Sequence, residues 1–220
     1  MIGKAAILAS HEIAEKIIGF APNNANGWEF ARVDTLQGVS ELFRADDYDL
    51  LISYGTSVIV PKWIIEKPTL SSVNLHAASP KYPGRDPHHF AVYEGATTYG
   101  ATLHYMAATV DSGPIIDVDL FRVLQDSKPV DLLYNANESA LKLLEKYIPQ
   151  FLNGNIPEPN MQFKWEGKKR SRKDFLDLCE IRPGISEAEF QRRLQACQME
   201  GYENLFTEIR GHRFTYKSKS

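Results

Sequence analysis

The chain has 220 residues, enough for one domain of ordinary size with a small appendage. Hydrophobic residues make up 43% and charged residues 24% of it, which is average for water-soluble globular proteins and argues against disordered, collagen-like and coiled-coil classes. The formal net charge is -3, so the chain lacks the basic excess typical of proteins that bind nucleic acids without sequence preference.

The cysteines and the N-terminal segment bear on the cellular setting. Neither Cys179 nor Cys197 has a His or a second Cys at metal-ligand spacing, so we expect two reduced, buried thiols and no metal site. The first apolar run, residues 5–9, is too short for a signal peptide or a membrane span. These features predict a cytoplasmic protein with no membrane partner.

Strand and helix patterns alternate along residues 1–76. The predicted elements, in chain order, are strand 4–9, helix 12–20, strand 28–33, helix 38–45, strand 49–53, a short helix opening at Pro61, and strand 72–76. Strand 49–53 is apolar at nearly every position, as expected for a strand covered on both faces. The pattern predicts an α/β fold with helices on both faces of a mostly parallel sheet.

The second half begins with a Pro- and Gly-rich loop and ends in a composition shift. The predicted elements are loop 77–87, helix 88–95, strands 98–106 and 115–123, a long amphipathic helix 130–152, linker 153–159, helix 187–198 and a hairpin over 207–215. The basic run 168–173 is interpreted as a solvated face. We therefore predict a main α/β domain over 1–155 and a small C-terminal region over 156–220.

Candidate catalytic groups lie at the end of the predicted strand 72–76. Asn74 and His76 project from the same face because they are two residues apart on a strand. An amide can donate to a developing oxyanion, and an imidazole can exchange a proton near neutral pH. Asp111, in a tight loop between two strands, is the candidate carboxylate that orients the imidazole. On spacing alone, a structural role is commoner than a catalytic one: Asn74 would cap the loop and His76 would be a half-exposed histidine.

The remaining histidines have simpler interpretations. His88 and His89 are expected to cap or pack at a helix start, and His104 to be a packed strand residue. His11 follows the first strand, where a dinucleotide-binding protein would show a Gly-rich fingerprint; none is present, so NAD binding is rejected.

The sequence around Asn74, His76 and Asp111 resembles that of a known family. Residues 74–87 (NLHAASPKYPGRDP), 100–106 (GATLHYM) and 110–116 (VDSGPII) resemble the formyltransferases that use 10-formyltetrahydrofolate, a family that includes transfer RNA, purine-precursor and sugar N-formyltransferases. The resemblance implies a Rossmann-like domain and a catalytic set of Asn74, His76 and Asp111. It also implies that an amine attacks the formyl carbon of the folate with no metal and no covalent enzyme intermediate.

The same resemblance implies a folate-binding site with two walls. The residues assigned to it are Tyr54, Gly55, Thr56 and Val58 on one wall and Tyr105 and Val110 on the other. Ordinary core packing explains Val58 equally well, since backbone contacts to a pterin leave little side-chain signature.

The acceptor class is inferred from the C-terminal region. Too little chain follows Pro159 for the C-terminal domain of transfer RNA formyltransferases, and the helix and hairpin resemble the short tail of sugar N-formyltransferases. The resemblance thus implies a nucleotide-linked amino sugar (dTDP, UDP or GDP) as acceptor, no nucleic-acid partner, a homodimer, and a place in lipopolysaccharide or O-antigen biosynthesis. Candidates for contacting the diphosphate and base are Lys81, Tyr82, Arg85, Tyr93, Trp165 and residues 168–173. A methionyl-tRNA or glycinamide ribonucleotide formyltransferase and a non-catalytic folate-binding homologue stay open as alternatives.

Overall fold

A computed structural model describes residues 3–22 and 27–217. Its strands are β1 (Gly3–Leu8), β2 (Trp28–Val33), β3 (Leu50–Tyr54), β4 (Ser71–His76), β5 (Thr98–Tyr105), β6 (Ile115–Arg122), β7 (Phe206–Ile209) and β8 (His212–Thr215). Its helices are α1 (His11–Gly19), α2 (Leu36–Ala45), α3 (Lys62–Ile65), α4 (Pro87–Tyr93), α5 (Pro129–Leu152), α6 (Arg172–Cys179) and α7 (Glu187–Cys197). No helix in this part of the chain is both long enough and apolar enough to cross a bilayer.

The central sheet has six strands in the order β2-β1-β3-β4-β5-β6. The first four strands in that order are parallel, and β5 and β6 are added antiparallel. This arrangement confirms the predicted mostly parallel α/β sheet. The last two strands can be antiparallel neighbours because residues 106–114 join them directly, without a crossover helix.

Each face of the sheet packs against its own helices. Alternate residues of β1 divide between the faces, so that Ile7 lies in the cluster formed with α1 and α5, whereas Leu8 lies in the cluster formed with α2 and α3. Phe43 of α2 is fully buried in the second cluster, and burial of such a side chain contributes about 1.5–3 kcal/mol. All five residues of β3 are buried, which confirms that this strand is covered on both faces.

The C-terminal region shares a third apolar cluster with the first part of the chain. Phe175 of α6, Cys197 of α7 and Phe206 of β7 pack with Phe90 of α4 and Tyr99 of β5. Both cysteines are free and buried, as expected. The boundary near residue 155 stays a prediction, since it concerns independent folding.

Helix α6 was missing from the sequence prediction, which interpreted residues 168–173 only as a solvated face. Ser171 caps the helix by accepting from the Asp174 N–H at 3.2 Å, and the Asp174 carboxylate accepts from the Ser171 N–H at 2.8 Å. This reciprocal pair is a capping box with Asp in the third position. Phe175, Leu178 and Cys179 form its buried face, so the apolar spacing was also present in the sequence.

The predicted terminal hairpin is present as β7 and β8, paired from Phe206–Thr215 to Ile209–His212. Arg210 and Gly211 form its turn with φ values of 51° and 81°. Two consecutive left-handed residues match the twist of a two-residue hairpin, and glycine at the second position lowers the cost.

Candidate active site

One face of the sheet changes from apolar to polar between β3 and β4. Leu51 of β3 belongs to the cluster under α2 and α3, and its register partner on β4 is Ser72. Asn74 and His76 continue this face, because residues two apart on a strand project together. On β5, His104 lies directly opposite Asn74. The neighbouring strands β4 and β5 thus present an amide and two imidazoles on the face of the sheet that α2 and α3 cover at β1 and β3.

Asp111 joins this group from the turn between β5 and β6. Its Oδ2 lies 3.6 Å from His76 Nδ1 and its Oδ1 lies 3.6 Å from His104 Nε2. The Gly84 N–H donates to Oδ2 at 2.8 Å, and the residue is only 7% exposed. Its φ of 48° is uncommon for a residue other than glycine, so the turn holds the carboxylate at a conformational cost. The structure therefore brings Asn74, His76 and Asp111 together and adds His104.

The charge state of Asp111 is set by opposing influences. Burial raises the pKa of the Asp111 carboxyl, but the nearby His76 and His104 imidazoles and the hydrogen bond from the Gly84 N–H together lower this pKa to about 2. Asp111 is consequently an anion throughout the physiological range. Such an anion can orient an imidazole and stabilise the positive charge that the ring acquires.

Hydrogen bonds define which ring nitrogens can donate. His104 Nδ1 lies 2.8 Å from the Tyr105 carbonyl, so Nδ1 carries a proton, and Nε2 can accept from the Asn74 amide at 3.1 Å. His76 Nε2 lies 2.9 Å from the Tyr82 carbonyl and must be protonated to bond it. Both nitrogens of His76 therefore face acceptors, so each of them can donate a hydrogen bond when it carries a proton.

His104 is the polar group that the sequence interpretation assigned to packing alone. It is buried, with 2% exposure, but it holds the Asn74 amide and approaches Asp111. The signal was the alternation in β5, where Ala101 and Leu103 face the core under α5 and Thr102 and His104 face the other way. That alternation could have assigned His104 to the polar face, but the register that pairs it with Asn74 is not contained in the alternation.

The residues predicted for a folate site lie in two segments. Tyr54 is 3% exposed, and its hydroxyl donates to Asn137 Oδ1 at 2.7 Å. Gly55 has a φ of 64°, and the Thr56 hydroxyl accepts from the Val58 N–H at 3.1 Å.

The second segment carries Tyr105 and Val110. The Tyr105 hydroxyl donates to the Pro157 carbonyl, and Val110 is 38% exposed. Val58 and Met106 both pack against the cluster under α2 and α3, so both segments border that cluster. The ring of Tyr54 is buried in the core, leaving backbone and the neighbouring side chains for any ligand contact.

Most cations of the basic run 168–173 are paired with carboxylates. The ion pairs are Lys168–Asp174, Arg170–Glu94, Arg172–Asp86 and Lys173–Asp177, at 2.7, 2.8, 3.5 and 2.6 Å. They attach the run to α4 and α6, so its charge is largely neutralised within the protein. Among the aromatic candidates, Tyr82 is buried and Tyr93 is covered by Arg192, whereas Trp165 packs against the histidines of the site.

His88 and His89 pack at the start of α4, as predicted. His89 Nδ1 lies 2.6 Å from the Ala196 carbonyl, and its ring centroid is 4.7 Å from that of Phe175. These contacts attach α4 to α6 and α7.

A large cavity of about 1120 Å³ lies outside the polar face. Residues of α7 and the following segment line it, together with Lys128 and Tyr216. None of Asn74, His76, His104 or Asp111 contributes to its walls, so we assign the site by its chemical groups rather than by cavity size. Among residues 3–22 and 27–217, no cluster of three or more His, Cys, Asp or Glu is arranged to hold a metal ion.

Known proteins resemble this chain in sequence and in fold. The sequence model of the formyl transferase family matches residues 10–148. A methionyl-tRNA formyltransferase from Listeria innocua serovar 6a is 29% identical over 109 residues, which is 49% of this chain and 35% of the relative. The chain therefore matches about a third of that relative's length.

Two solved structures share the fold over nearly the whole chain. A sugar N-formyltransferase from a Shewanella species superposes with a TM-score of 0.82 and 14% identity, covering 100% of this chain and 98% of the other. An N-formyltransferase from Helicobacter canadensis, in complex with folinic acid and dTDP-3-aminofucose, superposes with a TM-score of 0.69 and 20% identity, covering 96% and 85%.

Proposed function

Because the chain belongs to the formyl transferase family, we propose that it transfers the formyl group of 10-formyltetrahydrofolate to the amino group of a nucleotide-linked amino sugar. The observation that carries this proposal is the polar group of Asn74, His76, His104 and Asp111 at one face of β4 and β5, in which His104 and Asp111 are buried. It supplies an oxyanion donor, a proton carrier and a fixed anion, which are the groups that acyl transfer to an amine requires.

Asn74 is assigned to the formyl oxygen. One N–H of its amide is directed to His104 Nε2 at 3.1 Å, which fixes the plane of the amide. The other N–H has no acceptor among the described residues. It is the donor for the negative charge that develops on the oxygen as the amine attacks, and one such donor contributes about 3 kcal/mol to the transition state.

His76 and Asp111 are assigned to proton transfer. The amine lone pair forms the new C–N bond, and collapse of the tetrahedral intermediate breaks the bond between the formyl carbon and folate N10. The proton lost by the amine passes through His76 to N10, so atoms and charge balance. This transfer requires that His76 Nε2 leave the Tyr82 carbonyl, 2.9 Å away, and form a hydrogen bond with the substrate instead. Asp111 stabilises the imidazolium that forms during the transfer.

The segments beside the polar group fit a folate co-substrate. Ile59 is 69% and Val110 is 38% exposed, and exposed apolar side chains on such segments are typical of a surface that a flat ligand covers. The backbone of Gly55 and Thr56 would supply hydrogen bonds to the pterin, and Val58 and Tyr105 would flank it. Folate supplies the activated formyl group; these residues position it.

The acceptor is proposed from the extent of the structural likeness. The similarity to the sugar N-formyltransferase includes nearly the whole of both chains, whereas the matched methionyl-tRNA formyltransferase is covered over 35% of its length. A formylated nucleotide sugar is a precursor for glycan assembly, so lipopolysaccharide or O-antigen synthesis is the finer proposal. The alternatives are methionyl-tRNA, glycinamide ribonucleotide, or folate binding without turnover.

The first test is formyl transfer from 10-formyltetrahydrofolate, followed by folate absorbance, with dTDP-, UDP- and GDP-linked amino sugars as acceptors. Methionyl-tRNA and glycinamide ribonucleotide serve as comparison acceptors. Turnover with one nucleotide sugar supports the proposal, and turnover only with a comparison acceptor replaces it. Folate binding without turnover of any acceptor contradicts the catalytic assignment.

The site assignment has its own test in Asn74→Ala and His76→Ala. We expect each to fold normally and to lose about a hundredfold or more of kcat, since each removes a group that acts on the transition state. His212→Ala, at an exposed position of the hairpin, is the matched control. Activity of either site variant within a few-fold of the parent would refute the assignment.

A homodimer is part of the same proposal. Ile209, Phe214 and Tyr216, in and just after the hairpin, are each exposed by more than two fifths, at 53%, 55% and 43%, a pattern that favours cover by a second copy. Sedimentation velocity at two concentrations checks this, and a monomer at both would contradict it.

A further inference from the structure

Residues 153–170, here called the strap, connect α5 to α6 and run along the candidate active site. The Asn160 N–H donates to the Ile115 carbonyl at 2.8 Å, and the Glu166 N–H donates to the Pro80 carbonyl at 2.9 Å. Near its end, Arg170 forms a β-bridge with Gly84. The strap therefore touches both the β6 side of the site and the loop that follows His76.

Two glycines allow the strap to approach that loop closely. A Cβ on Gly84 would lie 2.1 Å from the Arg170 carbonyl oxygen, and a Cβ on Gly167 would lie 2.5 Å from the Lys81 carbonyl oxygen. Both glycines have positive φ values, 97° and 68°. Backbone packed this closely has little freedom to slide, so the strap's side chains have defined positions.

Trp165 is the strap residue that reaches the catalytic groups. Its indole N–H donates to the Gly113 carbonyl at 2.7 Å, in the turn that carries Asp111. Its ring centroid is 4.9 Å from that of His104 with an interplanar angle of 88°, and 5.8 Å from that of His76 with an angle of 59°. One side chain thus contacts both imidazoles and the turn of the carboxylate between them.

We propose that Trp165 is a positioning residue for formyl transfer. It holds His76, His104 and Asp111 in their relative positions and stabilises the positive charge on the His76 imidazole. The inference rests on the function proposed above. The indole N–H anchors the Asp111 turn, and the π-face attracts an imidazolium as it attracts other cations. The ring also keeps water from the histidines, which strengthens the attraction between His76 and Asp111. This role differs from that of a platform for the nucleotide base.

The kinetic test compares Trp165→Phe, which keeps an aromatic ring and loses the N–H, with Trp165→Leu, which loses both. Trp63→Phe is the matched control, because Trp63 lies on α3 and contacts Arg44. We expect Trp165→Leu to lower kcat about tenfold or more, since small misplacements of catalytic groups are costly, and to leave KM for both substrates within about threefold. The kcat of Trp165→Phe should fall between that of Trp165→Leu and that of the parent.

A fluorescence titration tests the contact without turnover. A protonated imidazole quenches a neighbouring indole, so acidification of the parent should quench part of the tryptophan emission. The quenching step should persist in Trp63→Phe and disappear in Trp165→Phe. Circular dichroism on each variant confirms that the fold is retained.

The outcomes separate this inference from the function on which it rests. An active parent with an unchanged kcat in Trp165→Leu overturns the positioning role. A raised KM for the sugar with unchanged kcat also overturns it, in favour of a substrate platform. If the parent is inactive with every acceptor, the proposed function is overturned. The fluorescence titration then tests the contact between Trp165 and the histidines by itself, and an identical quenching step in Trp165→Phe and in the parent overturns that contact.

Discussion

The two halves of the central sheet use the same backbone geometry for different purposes. Under α2 and α3, one face of β1 and β3 presents Leu8 and Leu51 to an apolar cluster. On β4 and β5 the same face presents Asn74 and His104 and is covered by the strap. Helices with apolar faces cover the half that provides stability, whereas irregular backbone covers the half that carries the polar groups. We therefore expect substitutions in the apolar half to lower the stability of the fold and substitutions in the polar half to lower the activity.

The largest expected effect is on the polar half. We expect Asp111→Asn to lower kcat roughly 10²–10⁴-fold, because an amide orients the imidazole poorly and does not stabilise its charge. Steady-state formyl transfer measures the loss. Asp119→Asn, at a β6 position whose carboxylate meets Lys142 at 3.9 Å, should retain activity, and a comparable loss there would show that any carboxylate on this edge of the sheet matters.

The apolar half should respond in stability instead. Phe43 is fully buried, so Phe43→Ala should lower the free energy of unfolding by about 3–5 kcal/mol through lost burial and a cavity. Urea denaturation measures the change, and kcat per folded molecule should stay near that of the parent. A large fall in kcat at conditions where the variant is fully folded would contradict the separation of the two halves.

A smaller effect on the free energy of unfolding is expected from the protonation of His88, which lies outside the candidate active site. Burial, with the neighbouring His89, lowers the pKa of His88 to about 3. Because this folded-state pKa lies below the unfolded value, the unfolded chain binds more protons between about pH 3 and 6.5 and stability falls as pH falls through that window. From pH 7 to 5 the loss should be up to about 2 kcal/mol for this group.

Urea titrations at the two pH values check this. His88→Leu should flatten the dependence, whereas an unchanged slope would assign it to other groups. Asp111 should not contribute over the same interval, because its pKa is lowered to about 2, so the stabilisation from its charge is lost only in more acidic solution.

The smallest expected effect concerns the helix that follows the strap. Ser171→Ala removes the side-chain acceptor for the Asp174 N–H at 3.2 Å and should cost about 1 kcal/mol of unfolding free energy. Thermal unfolding measures this change, with Ser40→Ala in α2 as the comparison, at a half-buried position whose hydroxyl donates to the Leu36 carbonyl within the same helix. No difference between the two variants would mean that the cap does not stabilise α6.

Local sequence patterns predicted the central elements because each carries its own periodicity. Strand β4 alternates strictly, and it was predicted at 72–76 against the observed Ser71–His76. Helix α6 was missed since a run of cations masks its capping box and its buried Phe175. His104 was assigned to packing because its polar neighbours are remote along the chain: Asn74 is 30 residues away.

The sequence alone determined the alternation of strands and helices, the apolar faces of the sheet and the Asn74, His76 and Asp111 group, because periodicity and family motifs are local properties of the chain. Only the tertiary structure decided that His104 orients Asn74, that ion pairs neutralise the basic run, and that Trp165 lies against both histidines. Those facts depend on contacts across long sequence separations, such as the 52 residues between Trp165 and Gly113. Such contacts arise from strand register and close backbone packing, which no local pattern encodes.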